Sequence, residues 1–480
     1  MAVIGCASYG FVYIQYTLEE EKLFMEQYCT EEEISAHIHC TAAKEIFGLI
    51  WTLTLSCSII GDLLIKLFQD YFGFFAGRFV CGSLLTVGFA TMGMYKTNPY
   101  LLFVGQILIS LPAYRNLSQN ISLGQIYMGE NSSIATILFP GIWMFSLITF
   151  LVGKKFTDME VMSLSSFLFL LAAFSLIVHV RSFFLLPKDL IPSPVPINYN
   201  LFQASIVGQC VIGKKYAAST QPEIKDKQIE DNNVSVREFF RMLASWRFLF
   251  MLFFNAIIWS RCATAMGHVN AWLDYAYYED SLLCENDPGK ACVVDDYKSE
   301  IIDVYGYLNC LHIVVPFMLV ALLEGFKKCF SKDKAILLSY LTQMFISILH
   351  VFAITTIMMM KIPEGGGKGL PLLLVTLLQT VQPIFMTCPQ IFVYTFYPRH
   401  LAPKVFIVIN LFYLPITFIY PALYNFLLQG SVQDYRFSEV SYIFFGLCSL
   451  LLIIFPYFAY DAKKYCDEKE RENIYKPFSE

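Results

Sequence analysis

Long, nearly unbroken runs of apolar residues alternate along this chain with short polar stretches. Each run is far longer than a buried strand and lacks the alternation of a barrel strand, and a membrane helix needs about 20 mostly apolar residues. The pattern therefore predicts an all-α polytopic membrane protein. Twelve spans are predicted, with ends good to a few residues: 1–18, 46–68, 74–95, 99–127, 133–153, 161–183, 246–272, 301–323, 334–360, 369–397, 403–428 and 440–461.

The spans divide six and six around one long polar stretch. This stretch opens with closely spaced prolines, which favour extended backbone, and continues through 221–233, which is charged and poor in large apolar residues. The predicted domains are a first six-helix bundle at 1–184, a cytoplasmic linker at 185–240, a second bundle at 241–462 and a cytoplasmic tail at 463–480. Two six-helix bundles joined by a linker resemble the layout of a major facilitator transporter.

The loops between the spans form two sets, one basic and one acidic. The basic loops contain Lys66, Arg78, Lys214, Lys215, Lys225, Lys227, Lys327, Lys328, Lys332, Lys334, Arg399, Lys404, Lys463 and Lys464. The acidic loops contain Glu19, Glu20, Glu21, Glu31, Glu32, Glu33, Glu279, Asp280, Glu285, Asp287, Asp295 and Asp296. The positive-inside rule places the basic loops and both termini in the cytoplasm. We predict a multi-pass protein of the plasma membrane.

Composition agrees with the pattern. Hydrophobic residues make up 56% of the chain and charged residues 15%, whereas soluble domains carry about 25% charged residues. The net charge of −5 does not indicate nucleic-acid binding. The predicted partners are therefore the lipid bilayer and a small molecule, bound by a monomer.

The cysteines do not form the pattern of a disulfide scaffold, because most lie within apolar runs and act there as small hydrophobes. Cys29 and Cys40 flank a polar stretch in the first outer loop, and Cys284 and Cys292 flank another in the fourth. Both loops would face an oxidising space, where disulfides persist. We expect at least one disulfide within or between them. Four unpaired thiols remain the alternative, and the connectivity stays open.

A run at the end of the sixth span carries a family resemblance. From Arg181 to Tyr199 it reads Arg-Ser-Phe-Phe-Leu-Leu-Pro-Lys-Asp-Leu-Ile-Pro-Ser-Pro-Val-Pro-Ile-Asn-Tyr. It resembles the solute carrier 43 family, which contains sodium-independent L-type amino acid transporters and an equilibrative nucleobase transporter. The nucleobase branch is the most similar. Further colinear matches are Phe47-Gly-Leu-Ile-Trp-Thr-Leu, Asn120, Gly124, Ser132, Thr136, Ser245, Arg247, Phe248, Gly267, Asn270, Leu378-Gln379, Phe385, Pro398, Lys404 and Gly430-Ser-Val-Gln.

The resemblance also implies charges that control opening and closing, and the chain departs from the usual pattern there. Asp70 and Arg78 fall on the acidic and basic positions of the loop after helix two. Lys66 replaces a glycine that normally lets helices two and eleven approach closely, and Tyr71 replaces an arginine. In the second half, Glu324 lies near the matching carboxylate position. We therefore expect a charge network whose contact after helix two differs from the family's.

Ionisable side chains within a span are costly in lipid and usually face a cavity or a partner. Arg115 lies near the centre of its span beside polar neighbours such as Asn120, so we predict a cavity-facing polar cluster. The alternative is an ion pair between Arg115 and Asp62 within the first bundle. For Arg261, in the outer half of the seventh span, snorkelling or an outer-gate role is favoured over substrate contact. For His312, a packing role is favoured over a role as a proton relay.

Helix ten is the most polar span of the second half, and Gln379, Gln382 and Gln390 fall roughly on one face of it. Amides donate and accept hydrogen bonds, which suits a neutral ligand, although hydrogen bonding between helices would use them equally well. The family's Ser-Arg-Ser-Phe stretch is replaced here by Gln-Pro-Ile-Phe at 382–385. The predicted substrate-binding residues are Arg115, Asn120, Asn255, Asn270, Gln379, Gln382, Gln390 and Phe385. The predicted gating charges are Asp62, Asp70, Arg78, Glu324 and Arg261.

Aromatic residues are abundant, and four of them could stack on a flat base: Tyr9, Tyr13, Trp143 and Phe385. Most aromatic residues of membrane proteins are interface anchors or packing residues. For each of these four taken singly, packing is therefore the favoured interpretation.

Several classes of protein are excluded and three hypotheses remain. No Gly-rich loop ends in Gly-Lys-Ser/Thr, and no Cys/His spacing indicates a metal, so we expect neither an ATP-driven pump, an enzyme nor a cofactor. The favoured hypothesis is facilitative, sodium-independent transport of a small neutral solute by alternating access, with purine nucleobases first and L-type neutral amino acids second. The third is a non-transporting membrane regulator. Proton coupling through Asp62 stays open.

The first span is predicted to be short. Residues 1–18 contain no Lys or Arg before the apolar run, which argues against a signal peptide. A helix this short barely crosses the ~30 Å of hydrocarbon at about 1.5 Å per residue. Either the first helix is short or the chain begins further upstream.

Overall fold

Helices make up all the regular structure of this computed structural model within the residues it describes, 7–29, 41–128, 132–188, 201–212, 236–277, 293–362, 367–397, 401–428 and 434–475. Helices dominate because lipid leaves the backbone no other hydrogen-bond partners. One helical segment corresponds to each predicted span. These are α1 (Ala7–Gly10 and Phe11–Glu20), α2 (Thr41–Phe72), α3 (Phe74–Gly93), α4 (Leu101–Ser110 and Ala113–Met128), α5 (Ser132–Phe145 and Ile148–Asp158), α6 (Leu164–Phe184), α7 (Trp246–Gly267 and Val269–Ala276), α8 (Val293–Tyr307, Leu308–Cys310 and Leu311–Cys329), α9 (Lys332–Met358), α10 (Gly369–Phe396), α11 (Ala402–Leu427) and α12 (Phe437–Tyr475).

Within the described ranges, nine helices are long and apolar enough to cross a membrane by themselves. Two of the other three spans are short or interrupted for visible reasons. The α-helical part of α1 has only 10 residues, and α4 is broken between Ser110 and Ala113. Pro112 lies in that break, where it lacks the amide hydrogen that would continue the helix. Helix α11 runs over Ala402–Leu427, and its described side chains form an apolar stretch at Lys404–Thr417.

We name the two ends of the molecule by their loop charges. The basic end contains Lys66 and Arg78, and the acidic end contains Glu21 and Asp303. At the basic end, α2 and α3 are joined through Gly73 alone, whose φ of 96° lies in the left-handed region that glycine tolerates best.

Helix α12 continues past residue 462, where the second bundle was predicted to end. It runs as helix to Tyr475 at the basic end. Arg247 donates to Asp461 at 2.7 Å, and Lys334 lies 3.3 Å from Asp467 and 2.7 Å from Glu470. The hydrogen bond from Lys334 lowers the pKa of Glu470. The pairs of Lys334 attach the extension to α9, and the pair of Arg247 joins α12 to α7 just before it, so part of the predicted tail is structured.

The helices pack in two groups that follow the chain order. In the first half α3 packs against α6 and α4, and in the second half α9 packs against α10 and α12. Contacts between the halves run mainly through α2 with α11 and through α5 with α8 and α10. The five helices that make these contacts lie where the two halves meet.

The approach of α5 to α8 is closest at Gly141. A Cβ atom there would lie 2.2 Å from the Cγ of Pro316 and 2.3 Å from the carbonyl oxygen of His312. Because real Cβ atoms do not come so close to other atoms, only glycine permits this contact between the two halves.

Gly141→Ala is therefore expected to separate α5 from α8 and to lower the free energy of unfolding by about 1–3 kcal/mol, as overpacked sites do. Thermal unfolding of the purified protein in detergent measures this change. Gly325→Ala is the matched control, because it lies on the same α8 with nothing within 4 Å of its added Cβ. Equal melting temperatures for both variants would contradict the close contact.

Candidate functional site

Seven buried aromatic residues from both halves meet in the middle of the molecule, and we call them the aromatic cluster. Its members are Tyr9, Trp51, Tyr114, Trp143, Trp259, Phe385 and Tyr413. The ring of Tyr9 lies 5.9, 6.2, 5.8 and 6.4 Å from the rings of Trp51, Tyr114, Trp143 and Trp259. Trp259 in turn lies 6.0 Å from Phe385 and 6.3 Å from Tyr413. The contact between Tyr9 and Trp259 joins the two halves.

Local structure explains why these rings converge. Tyr114 follows the Pro112 break of α4 and stacks on Trp143 of α5 at 5.6 Å, with 25° between the ring planes. The indole nitrogen of Trp143 donates to the carbonyl oxygen of Ala113 at 3.2 Å, which lies in the same break. Trp259 and Phe385 lie near the midpoints of α7 and α10. The cluster therefore lies at mid-depth, away from both ends.

A set of amide side chains adjoins the aromatic cluster through Tyr13, which lies one turn after Tyr9. The Tyr13 hydroxyl accepts hydrogen bonds from Asn309 of α8 at 3.0 Å and from Gln379 of α10 at 3.2 Å. Gln379 also donates to the carbonyl oxygen of Tyr305 at 2.9 Å. Gln379 thus takes part in hydrogen bonding between helices, the alternative considered for it above.

Three other predicted amides are buried with polar atoms that lack a hydrogen-bond partner among the described residues. These atoms are the Nδ2 and Oδ1 of Asn255, the Nε2 and Oε1 of Gln382 and the Nε2 of Gln390. Asn255 lies one turn before Trp259, and Gln382 one turn before Phe385. Leaving such a group unpaired inside a protein costs about 1–3 kcal/mol. Asn255 and Gln382 lie beside the aromatic cluster, where they are available to a polar ligand.

Arg115 and Asp62 form an ion pair toward the basic end. The Nη1 of Arg115 lies 3.6 Å from the Oδ1 of Asp62, and its Nε donates to Gln69 at 3.1 Å. Asn410 of α11 donates to the other Asp62 oxygen at 3.2 Å. The structure thus contains the ion pair considered as the alternative for Arg115. It also extends that pair across to the second half.

Arg261 lies inside the second half, where it ties three helices together. Its guanidinium donates to Thr355 of α9 at 3.2 Å and to Ser441 of α12 at 2.8 Å, and it lies 5.2 Å from the ring of Phe444. Asn270 is in the second part of α7, toward the acidic end. Neither residue belongs to the contacts of the aromatic cluster described above.

The remaining predicted residues occupy the basic half. Asn120 donates to the carbonyl oxygen of Asn116 in its own helix. Asp70 is paired with Lys66, and Glu324 accepts a hydrogen bond from Lys327 at 2.6 Å, each within one helix.

Arg78 is buried at the start of α3. It donates to the carbonyl oxygen of Pro187, and its guanidinium lies 4.5 Å from the ring of Phe74. It thereby attaches the beginning of the proline stretch to α3. The predicted gating charges thus occupy separate places in the described structure.

At the acidic end, charges from the two halves face each other. The Nζ of buried Lys154 lies 3.3 Å from Asp303 of α8 and 3.1 Å from Asp158, and Lys155 also donates to Asp303. We call this arrangement the acidic-end bridge. Sequence analysis did not single it out, because its charges lie where apolar runs end and snorkelling is the ordinary interpretation there.

Asp303→Asn is expected to loosen the acidic-end bridge, because the amide cannot compensate two lysines. Backbone hydrogen exchange of Ile148–Asp158 should then rise, as measured by mass spectrometry on the purified protein. Glu300→Gln is the matched control, since Glu300 lies one turn away and pairs with Lys368 in the second half. Unchanged exchange in Asp303→Asn would show that the bridge does not hold this end together.

Comparison with solved structures agrees with this architecture over nearly the whole chain. The nucleoside transporter NupG superposes with a TM-score of 0.51 at 13% identity, covering 94% of this chain and 97% of that chain. A POT family transporter in complex with 5-aminolevulinic acid gives 0.51 at 11% identity, covering 95% of each chain. The chain has the major facilitator fold. The predicted fold class is confirmed, with multiple apolar helices of a multi-pass membrane protein.

At the level of sequence, similarity is weaker. Equilibrative nucleobase transporter 1 of Bos taurus is 27% identical over 191 residues, which cover 39% of this chain and 38% of the relative. The matched stretch therefore spans well under two thirds of that protein. No protein-family model matches the chain. The resemblance to the solute carrier 43 family stays a prediction.

Within this major facilitator fold, the residues that sequence analysis missed are mostly aromatic partners, namely Trp51, Tyr114, Trp259 and Tyr413, together with Asn410. One signal was available, because tryptophan prefers the membrane interfaces and Trp259 lies at mid-span.

The predicted disulfides lie largely outside the described part of the chain. Cys40, Cys284 and Cys292 are outside the described residues, and Cys29 is not among the free cysteines of the described ranges. Pairing of these cysteines stays a prediction.

Proposed function

We propose that this protein is a facilitative carrier that moves a small, neutral, planar solute of the nucleobase class by alternating access. The observation that carries the proposal is the aromatic cluster, which both halves build and which adjoins buried amides with unused hydrogen-bonding atoms. Stacking of a base on aromatic side chains is worth about 1–3 kcal/mol per base. Amide side chains complement the donors and acceptors at a base edge.

Contacts toward both ends support alternation around this site. The acidic-end bridge joins the halves on one side of the aromatic cluster, and the contact of Asp62 with Asn410 joins them toward the other. In the major facilitator fold, the halves rock around a midplane site, so such contacts break and reform in turn. We assign the basic end and both termini to the cytoplasm by the positive-inside rule.

The electrostatics favour a neutral solute. Arg115 and Asp62 neutralise each other, and the side chains of the aromatic cluster carry no formal charge. A charged solute would lack a compensating group there and would be costly to place at mid-depth. The partial similarity to an equilibrative nucleobase transporter points to the same class of solute. Sodium independence is proposed from the solute carrier 43 resemblance, and a carrier of this kind is not an enzyme.

Counterflow into proteoliposomes tests the proposal. Vesicles loaded with unlabelled adenine should accumulate labelled adenine saturably, and a sodium gradient should not alter the rate. Vesicles loaded with leucine are the parallel arm. Leucine counterflow without adenine counterflow would replace the nucleobase proposal by the L-type amino acid alternative. Movement of neither solute above empty vesicles would contradict the carrier proposal and favour the non-transporting regulator.

A further inference from the structure

Gln382 is, with Asn255, one of two amides beside the aromatic cluster whose side-chain polar atoms both lack a hydrogen-bond partner among the described residues. It is 1% exposed, and neither its Nε2 nor its Oε1 has a hydrogen-bond partner among the described residues. It faces the Tyr305 and His312 side chains of α8, without completing a hydrogen bond of normal geometry with either. The amide of Gln382 thus lies next to two polar groups without a hydrogen bond of normal geometry, so a ligand of better geometry can pair with it.

Gln382 lies on α10 between a glutamine that is already hydrogen-bonded and a ring of the aromatic cluster. Gln379, one turn before it, is occupied by Tyr13 and by the carbonyl oxygen of Tyr305. Phe385, one turn after it, belongs to the aromatic cluster. A planar heterocycle stacked beside Phe385 would thus direct its edge along the helix toward Gln382, which is the first amide in that direction with unused atoms.

The chemistry of an amide matches one kind of edge. Gln382 offers one acceptor oxygen and a donor nitrogen in one plane, and such a group pairs in a bidentate manner with an adjacent donor and acceptor. Adenine presents this pair through its exocyclic amine and a neighbouring ring nitrogen. Unsubstituted purine has the same fused rings but lacks the exocyclic donor, so along the corresponding edge it can complete only part of the pair.

We infer that Gln382 determines specificity in this carrier by reading a neighbouring donor and acceptor on the edge of the planar solute. The inference rests on the proposed function, because it assigns to the same site a residue that recognises the hydrogen-bonding edge of the solute. It adds a rule of selection: flat solutes that lack the donor–acceptor pair are bound more weakly.

Two ligands and two variants test this rule. The KM of adenine and the inhibition constant of unsubstituted purine are measured in proteoliposomes for the wild type, Gln382→Met and Gln343→Met. Gln343 is the matched control, since it is a buried glutamine of the second half whose amide is bound to Ser339 and Thr387. We expect the wild type to prefer adenine over purine by about fivefold to hundredfold, the range of one bidentate amide–base pair.

In Gln382→Met this preference should fall to within about twofold, because both ligands then meet an apolar side chain that cannot pair with the edge. In Gln343→Met the ratio should stay that of the wild type. If Gln382→Met fails to reach the membrane, Gln382→Asn replaces it, because a shortened amide should lose the same preference. A wild-type preference that persists in the Gln382 variant would overturn the inference while leaving the carrier intact. Absence of adenine transport in the wild type would instead contradict the proposed function itself.

Discussion

Arg115→Ala is expected to abolish transport and to lower the free energy of unfolding of the protein. The substitution leaves the Asp62 carboxylate, which is 1% exposed, without its cation in the interior of the first half. Breaking a buried pair by removing one partner costs about 3–5 kcal/mol. Thermal unfolding in detergent and uptake by proteoliposomes measure the two effects on the same preparation.

A double variant tests whether the loss of stability comes from the unpaired charge of Asp62. Asp62→Asn combined with Arg115→Gln removes both charges and keeps hydrogen-bonding groups, so it should recover most of the lost stability. The matched control is Arg241→Ala, because Arg241 is an exposed arginine in the short helix Val236–Leu243. If Arg115→Ala unfolds at the wild-type temperature and transports normally, the ion pair has neither a structural nor a functional role.

The second largest effect is expected for Trp259→Ala. Trp259 contacts Tyr9 of the first half and Phe385 and Tyr413 of the second, so it is the aromatic side chain through which the cluster is continuous. Loss of a stacking surface worth about 1–3 kcal/mol should raise the KM for adenine roughly 5- to 150-fold. Trp259→Phe keeps a ring in place and should raise the KM less.

Kinetic measurements in proteoliposomes distinguish this role from a packing role. Trp→Ala in a core also lowers stability, by about 3–5 kcal/mol, so Vmax is normalised to the amount of folded protein. Trp246→Ala is the matched control, because Trp246 lies on the same α7 but is 43% exposed at its basic end. A KM for adenine that stays at the wild-type value in Trp259→Ala, with only Vmax reduced, would assign Trp259 to packing alone.

Most of the fold follows from hydrophobicity along the chain, because a backbone in lipid must form helices. The twelve predicted spans each correspond to a helical segment. The exceptions lie where local chemistry acts on the backbone or where contacts come from distant residues. Pro112 breaks α4, and Lys334 holds the extended end of α12 through Asp467 and Glu470. The apolar pattern alone contains neither effect.

The candidate site was predictable in part. The shared face of Gln379 and Gln382 follows from helical periodicity, and both glutamines are buried in the middle of α10. Periodicity does not say which faces of the two halves meet, so the neighbours Trp259 and Tyr413 escaped prediction. For Arg115, a cavity-facing cation and an ion pair have the same sequence pattern. Only the structure distinguishes these two possibilities, through the distance of 3.6 Å between Arg115 and Asp62.

The central claim is that the aromatic cluster is where a nucleobase binds between the two halves. Equilibrium binding of labelled adenine to the purified protein tests it most directly, without requiring transport. The account predicts saturable binding of one adenine per protein chain in the wild type and in Trp246→Ala, and binding at least about fivefold weaker in Trp259→Ala. Absence of saturable binding in the folded wild type, or equal affinities in Trp259→Ala and Trp246→Ala, would contradict the claim.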